Sequence, residues 1–220
     1  MPGTLYIVST PIGNLEDITL RAIDTLKKVD LIAAEDTRHT KILLDRYDIK
    51  TPTTSYFEYN KVRKTEYLLK ALGDGKSVAL VSDAGTPGIS DPGYKIIRAC
   101  IDNNVAVVPI PGASALLTAL SISGKPTDKF AFEGFLSNKS ARRRRQLQKL
   151  RDEGRTAVLY ESPHRILKLL EDILEIYGDV DLALVREATK KFEEVRREKV
   201  TASIAHFSAK KPQGEFTVII

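Results

Sequence analysis

Hydrophobic positions in the first half of the chain follow a repeated order, in which a short apolar or β-branched run is followed by an amphipathic stretch. The runs are TLYIVS, DLIAAE, TTSY, SVALVS and VAVVPI, and the stretches between them include ITLRAIDTLKKV, TRHTKILLDRY and KTEYLLKALGDG. Short β-branched runs predict strands, and apolar positions spaced by three or four residues predict helices. We therefore predict βαβ units, and hence a parallel sheet with helices on both faces.

The second half begins after a turn-rich segment, Gly124-Lys125-Pro126-Thr127. Strands are predicted at KFAFEGF, TAVLYES, DLALVRE and GEFTVII, with helices over about 140–153 and 162–177 and a charged stretch before the last strand. We predict an N-terminal α/β domain over 1–123 and a C-terminal α/β domain with a mixed sheet over 124–220. Because the strand FTVII reaches the final residue, we expect a further segment after it.

Composition is that of an ordinary globular protein, since 42% hydrophobic residues exclude a disordered chain. No apolar run approaches the roughly 18–20 residues that span a membrane, and the first residues, MPGTLYIVST, lack the features of a secretion signal. We expect a cytoplasmic protein that does not bind membranes. The single cysteine, Cys100 in YKIIRACI, is predicted to be a buried structural thiol, which excludes disulfides and cysteine-metal sites.

Three loops rich in glycine, proline and serine directly follow predicted strands, at residues 9–14, 82–93 and 111–115. Glycine permits close backbone approach to a ligand, and serine and threonine supply short polar contacts. One such loop alone is typical of a tight turn, but three at strand ends predict a small-molecule site. Neither G-x-x-x-x-G-K-[ST] nor G-x-G-x-x-G is present, which argues against a nucleotide triphosphatase or a dehydrogenase.

Basic residues are concentrated in one window rather than spread evenly. The formal charge is only +5, but the predicted helix over 140–151 contains four consecutive arginines. On a helix, Arg142, Arg145 and Lys149 share a face, and arginine grips phosphate with two hydrogen bonds. The alternative is a solvated helix face. We favour RNA and predict as its contacts Arg142, Arg143, Arg144, Arg145 and Lys149.

Seven segments in this order resemble one known family: STPIGNLEDITLRAI, AEDTR, SDAGTPGISDPG, PGASA, YESPHR, VREATKKFEE and GEFTV. They are similar to the ribosomal RNA 2′-O-ribose methyltransferase branch of the tetrapyrrole methylase superfamily. The resemblance implies a two-domain α/β enzyme that binds S-adenosylmethionine in the cleft between its domains, usually as a homodimer and without a metal. It also implies a target, a cytidine ribose in the decoding region of 16S rRNA in the small ribosomal subunit.

The resemblance also implies a set of cofactor-binding residues. One departure is notable, since relatives that methylate tetrapyrroles carry Gly-Asp-Pro where this chain has Gly85-Thr86-Pro87, which removes a carboxylate from the pocket. The cofactor residues implied across the three loops and the C-terminal domain are Pro11, Gly85, Thr86, Ile89, Ser114, Ala115, Tyr160, Ala188 and Phe216.

Methyl transfer to a ribose hydroxyl is helped by a base that removes the hydroxyl proton. Three acids after predicted strands are candidates, namely Asp36, Glu161 and Glu187. Each has an alternative role, since Asp36 is placed to cap the next helix, while Glu161 can pair with Arg165 and Glu187 with Lys190 or Lys191. For His164 we favour a role at the surface or in substrate contact over a role as the base. The sequence leaves the base open.

Two rival functions remain. A precorrin methyltransferase would share the fold and the cofactor, but that branch resembles G-x-G-P-G-D in the first loop, where this chain has TPIGNLEDI. A non-catalytic RNA-binding module for ribosome assembly would explain the arginines but not the three loops. Such binders present aromatic side chains to bases, and the only aromatic cluster, Tyr56, Phe57 and Tyr59, is predicted to pack in the core.

Overall fold

The computed structural model describes residues 2–220, which form two compact units. The first unit ends at Ser114 and the second comprises Ala115–Ile220. This division falls before helix α5 (Ala115–Ser121), whereas the turn-rich segment suggested a boundary after it. The reason is packing, because Ala119 and Leu120 of α5 belong to the apolar core of the second unit.

The first unit is built on five parallel strands in the order β3-β2-β4-β1-β5. The strands are β1 (Thr4–Val8), β2 (Leu31–Ala34), β3 (Thr53–Ser55), β4 (Val78–Val81) and β5 (Ala106–Ile110). The helices are α1 (Leu20–Lys28), α2 (Thr37–Arg46), α3 (Lys61–Gly73) and α4 (Tyr94–Asp102). The predicted alternation and the parallel sheet are both confirmed.

Apolar cores cover both faces of the first sheet, as a parallel sheet requires. Leu26 of α1 and Leu43 of α2 pack on one face, and Leu68 of α3 and Ile96 of α4 pack on the other. Cys100 belongs to the second of these cores and is fully buried, so its predicted structural role is confirmed. Burial raises the pKa of its thiol to about 11, which keeps it protonated and unreactive.

The second unit contains a mixed sheet in the order β6-β7-β10-β8-β9. Strands β6 and β7 are parallel, while β10 and β9 pair antiparallel with their neighbours, so the predicted mixed sheet is confirmed. The strands are β6 (Phe130–Phe135), β7 (Thr156–Glu161), β8 (Asp181–Arg186), β9 (Glu194–Lys199) and β10 (Phe216–Ile219). Besides α5, its helices are α6 (Ser140–Glu153), α7 (Ile166–Tyr177) and α8 (Val200–Ala209).

Two features of the second unit differ from the prediction. The charged stretch contains β9 and α8, which the sequence pattern did not indicate. In β9, which reads EVRREK, almost every residue is charged, so the strand lacks the apolar run that predicted the other strands. Its charges are satisfied across the sheet and along the strand, as in the ion pairs Arg186–Glu194 at 2.9 Å and Arg196–Glu198 at 2.6 Å. Helix α7 also begins at Ile166, since a turn that includes Pro163 precedes it.

Candidate active site

The first two strand-end loops of the first unit are bonded directly to each other. Thr10 and Gly85 form a reciprocal bridge, with Thr10 N to Gly85 O at 2.9 Å and Gly85 N to Thr10 O at 3.1 Å. The Thr10 hydroxyl donates to Ser82 O at 3.1 Å, and the Ser9 and Thr86 hydroxyls lie 2.8 Å apart. These bonds give residues 9–14 and 82–93 a fixed mutual arrangement.

The third loop lies against the other two within the same unit. A Cβ added at Gly112 would stand 3.0 Å from Ser9 Cβ and 3.4 Å from Ser9 O, so only glycine permits this approach without a shift. Gly85 has φ +77°, which also favours glycine, and a Cβ there would lie 3.9 Å from Ala113 O. The loops therefore converge at the carboxyl ends of β1, β4 and β5, where parallel sheets bind ligands.

Side chains in these loops combine apolar surface with short hydroxyls. Pro11 is buried, Ile89 is 48% exposed, and Thr86, Ser114 and Ala115 are half-buried. Hydroxyls and loop backbone offer hydrogen bonds, while proline and isoleucine offer apolar contact. This combination offers both polar and apolar contacts to a small molecule.

The predicted cofactor residues of the second unit lie near one end of its sheet. Tyr160 of β7 accepts a hydrogen bond from Leu116 N at 3.0 Å, and its ring meets Phe132 edge to face at 4.9 Å. Ala188 follows β8 and is half-buried. Phe216, which opens β10, is only 2% exposed. Its ring is therefore a core side chain, and only its backbone or edge is available to a ligand.

Asp36 caps helix α2, which is the alternative role that we predicted for it. Its Oδ1 accepts a hydrogen bond from Arg38 N at 2.8 Å, and its Oδ2 pairs with the Arg38 guanidinium at 2.8 Å. The Arg38 side chain and backbone N–H together hold the pKa of Asp36 well below its usual range. A carboxylate stabilised so strongly in its charged form is a weak proton acceptor.

Glu161 lies inside the second unit, with 1% of its surface exposed. Its Oε1 accepts from Ser162 N at 2.8 Å, and its Oε2 lies 3.2 Å from Arg165, so the predicted ion pair is present. Burial raises its pKa, against the opposing effects of the Ser162 N–H and the Arg165 charge. The arrangement is that of an internal structural pair.

Glu187 has φ +53° and folds its side chain over Gly214, where any Cβ would collide with it. Its Oε1 accepts from Glu215 N at 2.9 Å and from Lys190 Nζ at 3.0 Å, so the predicted pairing with Lys190 is present. Burial by itself would raise the pKa of Glu187, but these two hydrogen bonds hold it below its usual value. The carboxylate therefore joins the ends of β8 and β10.

A fourth acid, Glu35, directly precedes Asp36 after β2, a position at a strand end that the sequence also indicates. Its Oε2 accepts from Asp83 N at 3.4 Å, and Asp83 Oδ1 accepts from Asp36 N at 3.1 Å. Burial raises the pKa of Glu35, and the nearby Asp83 charge adds to this. Across residues 2–220, no group of three or more His, Cys, Asp or Glu side chains is arranged to hold a metal.

The basic helix α6 divides its arginines between the core and the surface. Arg143 is 3% exposed, and its Nε donates to Asp172 Oδ2 at 2.6 Å. Arg144 Nε donates to Asp172 Oδ1 at 2.7 Å, and Arg144 also pairs with Glu175. The prediction that Arg143 contacts phosphate at the surface is therefore wrong, because this guanidinium is buried against α7.

Three of the predicted phosphate contacts do remain on the surface. Arg142, Arg145 and Lys149 are all exposed, and the nearest acid to Lys149 is Glu153 at 3.9 Å. They share the helix face that the spacing predicted. Leu147 and Leu150 are buried beneath them, which fixes the helix and aims this face outward.

Sequence comparison finds proteins that are similar to this chain. A profile of the tetrapyrrole (corrin/porphyrin) methylases matches residues 4–203. A ribosomal RNA small subunit methyltransferase I from a Synechocystis strain is 52% identical over 99% of this chain and 78% of its own length. Its namesake from Thermotoga maritima is 51% identical over 99% of this chain and 98% of its own.

Solved structures with the same fold are much more distant in sequence. A cobalt precorrin-4 methyltransferase matches with a TM-score of 0.73 at 16% identity, covering 98% of this chain and 94% of that protein. A uroporphyrin-III C-methyltransferase from Thermus thermophilus, complexed with S-adenyl homocysteine, matches with a TM-score of 0.67 at 17% identity, covering 99% and 97%. At this identity the likeness concerns the fold alone.

Proposed function

Because this chain belongs to the tetrapyrrole (corrin/porphyrin) methylase family, we propose that it methylates the 2′-hydroxyl of a cytidine ribose in the decoding region of 16S rRNA. Membership makes it an S-adenosylmethionine-dependent methyltransferase of the ribosomal RNA type, given relatives near 50% identity over almost the whole chain. The observation that carries the proposal is the bonded set of strand-end loops, with Ser9 and Thr86 hydroxyls at 2.8 Å. A protein that only bound RNA would have no need of it.

The loops suit the chemistry of S-adenosylmethionine, which combines an adenine ring, ribose hydroxyls and a charged amino-acid end. Gly112 lets the third loop approach Ser9 closely, and Gly85 adopts φ +77°, so the two glycines set the shape of the loops. Thr86 and Ser114 present hydroxyls, and Pro11 and Ile89 present apolar surface. We propose these residues, with Ala115, as the cofactor contacts of the first loops. The assignment of Tyr160, Ala188 and Phe216 depends on the family resemblance.

Bound S-adenosylmethionine supplies a methyl group that is already activated on a sulfonium, so the main task of the protein is alignment. Asp36, Glu161 and Glu187 each hold hydrogen bonds or ion pairs within their own unit. Their carboxylates act first as structural groups, which favours catalysis by alignment over a strong base among these three. Burial raises the pKa of Glu35 and that of Glu161 alike, so this direction does not select one of them as the base.

We assign the exposed face of α6 to rRNA phosphates. The combined change Arg142→Ala, Arg145→Ala and Lys149→Ala is expected to weaken binding to ribosomal RNA and to reduce the slope of log K against log salt by roughly 2. Filter binding over a salt series measures both quantities. Affinity for S-adenosylmethionine, from calorimetry, should stay unchanged.

The matched control for this prediction is Arg98→Ala, which removes an exposed arginine of the first unit that pairs with Asp102. It should leave the salt slope unchanged. An unchanged slope in the triple variant would remove α6 from the RNA interface.

The rival precorrin methyltransferase is disfavoured by sequence. The precorrin enzyme shares the fold at 16% identity, whereas both rRNA methyltransferases exceed 50%. The first loop, Thr10-Pro11-Ile12-Gly13, also lacks the glycine-rich pattern of the precorrin branch. The non-catalytic alternative leaves the three converging strand-end loops without a role.

Incubation with labelled S-adenosylmethionine tests the proposed function directly. The protein is offered small ribosomal subunits, naked 16S rRNA or a tetrapyrrole precursor, and the label is located by nuclease digestion and mass spectrometry. We expect label on a cytidine ribose in ribosomal material. Label on the tetrapyrrole alone, or no transfer to any acceptor, would overturn the assignment.

Two further expectations concern the setting in which the protein works. Among residues 2–220, no helix is long and apolar enough to cross a bilayer. A ribosomal substrate supports the cytoplasm as the place of action, and we keep this as a proposal. The homodimer that the family resemblance implies also stays a prediction.

A further inference from the structure

Aromatic side chains are exposed in the segment that follows β3 and on helix α3. The predicted core packing holds for Tyr56, which is 1% exposed and lies 3.2 Å from the Thr65 hydroxyl. It is wrong for its neighbours, because Tyr59 is 95% exposed and Phe57 is 37% exposed. On helix α3, Tyr67 is 52% exposed. Large aromatic rings grouped at the surface indicate a contact surface.

Cations occur between these rings in the sequence. Arg63 is exposed, and Lys64 Nζ stands 5.1 Å from the Tyr67 ring centroid while donating to Thr54 Oγ1 at 2.6 Å. We call Phe57, Tyr59, Arg63, Lys64 and Tyr67 the aromatic-cationic surface. Over residues 57–70 cations outnumber acids, with Lys61, Arg63, Lys64 and Lys70 against Glu58 and Glu66.

The turn that carries the first two rings is held in place by Asn60. Its Oδ1 accepts from Phe57 N at 2.9 Å, and its Nδ2 donates to Ser55 O at 3.3 Å. The Phe57 and Tyr59 rings meet edge to face with centroids 6.4 Å apart. The rings are therefore presented from a structured turn, which lowers the entropy cost of a contact.

The aromatic-cationic surface lies at the same edge of the sheet as the cofactor loops. Ser55 pairs with Ala34, and Ala34 pairs with Val81, so β3, β2 and β4 end in one row. Two strand spacings, roughly 10 Å, separate the end of β3 from the end of β4. A polymer bound at the cofactor loops can therefore extend onto this surface.

We propose that the aromatic-cationic surface binds an unpaired stretch of the RNA substrate, with bases stacked on Tyr59 and Tyr67 and phosphates near Arg63 and Lys64. Interleaved rings and cations are the chemistry that unpaired nucleotides require. Self-association through the same patch would bring like charges of two copies together. The choice of RNA rests on the proposed function.

The test compares Tyr59→Ala, Tyr67→Ala and the double variant with the unaltered protein. The probe is a fluorescein-labelled single-stranded oligoribonucleotide of about 12 nucleotides, read by anisotropy. Each lost stack is expected to weaken binding roughly 5- to 100-fold, and Tyr59→Phe should keep most of the affinity. The matched control is Ile101→Ala, an exposed side chain near the end of α4.

Calorimetry with S-adenosylmethionine checks that the variants keep the cofactor site. Unchanged RNA affinity in the double variant would overturn the inference, as would an unaltered protein that fails to bind the probe. A changed oligomeric state by sedimentation with unchanged RNA binding would assign the surface to a second copy instead. Weakened RNA binding together with no methyl transfer to any ribosomal acceptor would sink the proposed function while the RNA surface stands.

Discussion

Replacing Asp172 with asparagine is expected to lower the free energy of unfolding by about 3–5 kcal/mol. Asp172 and Arg143 are both 3% exposed, and Asp172 also accepts a hydrogen bond from Arg144. Removing the carboxylate charge takes from the buried Arg143 guanidinium the charged group to which it is hydrogen-bonded. Urea denaturation followed by circular dichroism measures the loss, which should appear in the transition of the second unit.

The control is Glu175→Gln on the same helix, which removes the exposed acid that pairs with Arg144. Its effect should stay below about 1 kcal/mol, as for other surface pairs. The double change Arg143→Met with Asp172→Leu should recover most of the stability, because it removes both charges together. A stability loss in Asp172→Asn no larger than that of Glu175→Gln would contradict the assignment of a buried pair.

Replacing Thr86 with tryptophan is expected to weaken S-adenosylmethionine binding by about 100-fold or more, roughly 2.7 kcal/mol. The Thr86 hydroxyl lies 2.8 Å from the Ser9 hydroxyl. The adjacent Gly85 exchanges two backbone hydrogen bonds with Thr10. The loops therefore have little freedom to move aside, and an indole at this position occupies the space proposed for the cofactor. Isothermal titration calorimetry measures the affinity.

Thr86→Ser is the control, because it keeps the hydroxyl and adds no bulk. Its affinity should lie within a fewfold of the original, and the tryptophan variant should still bind the RNA probe if it is folded. Ser114→Trp should behave like Thr86→Trp. Cofactor affinity that survives both bulky changes would remove these loops from the pocket.

Much of the fold follows from local sequence pattern. The short apolar and β-branched runs TLYIVS, DLIAAE and SVALVS predicted β1, β2 and β4, and the amphipathic stretches predicted α1 to α3. The pattern missed β9 because EVRREK is charged at almost every position, and its strand state depends on pairing with β8. Backbone pairing between distant segments overrides local preference in such an edge strand.

Part of the site was also readable in advance. The three loops were located from glycine and proline after strands, and the alternative role of Asp36 as a helix cap was recognised from its position before Thr37. Local hydrogen bonds of this kind depend on residues close in sequence. The exposure of Phe57 and Tyr59 was not readable, because an aromatic run looks the same in sequence whether it faces the core or the solvent.

The sequence by itself determined the order of strands and helices in the first unit, the parallel character of its sheet and the strand-end position of the loops, because all three follow from hydrophobic patterns within short segments. Only the tertiary structure decided which arginines of α6 face outward and which carboxylates are already engaged. Arg143 meets Asp172 across 29 residues, and that ion pair exists only once α6 packs on α7. Burial and charge pairing are properties of the packed chain, and they separate the exposed cations of α6 from the buried one.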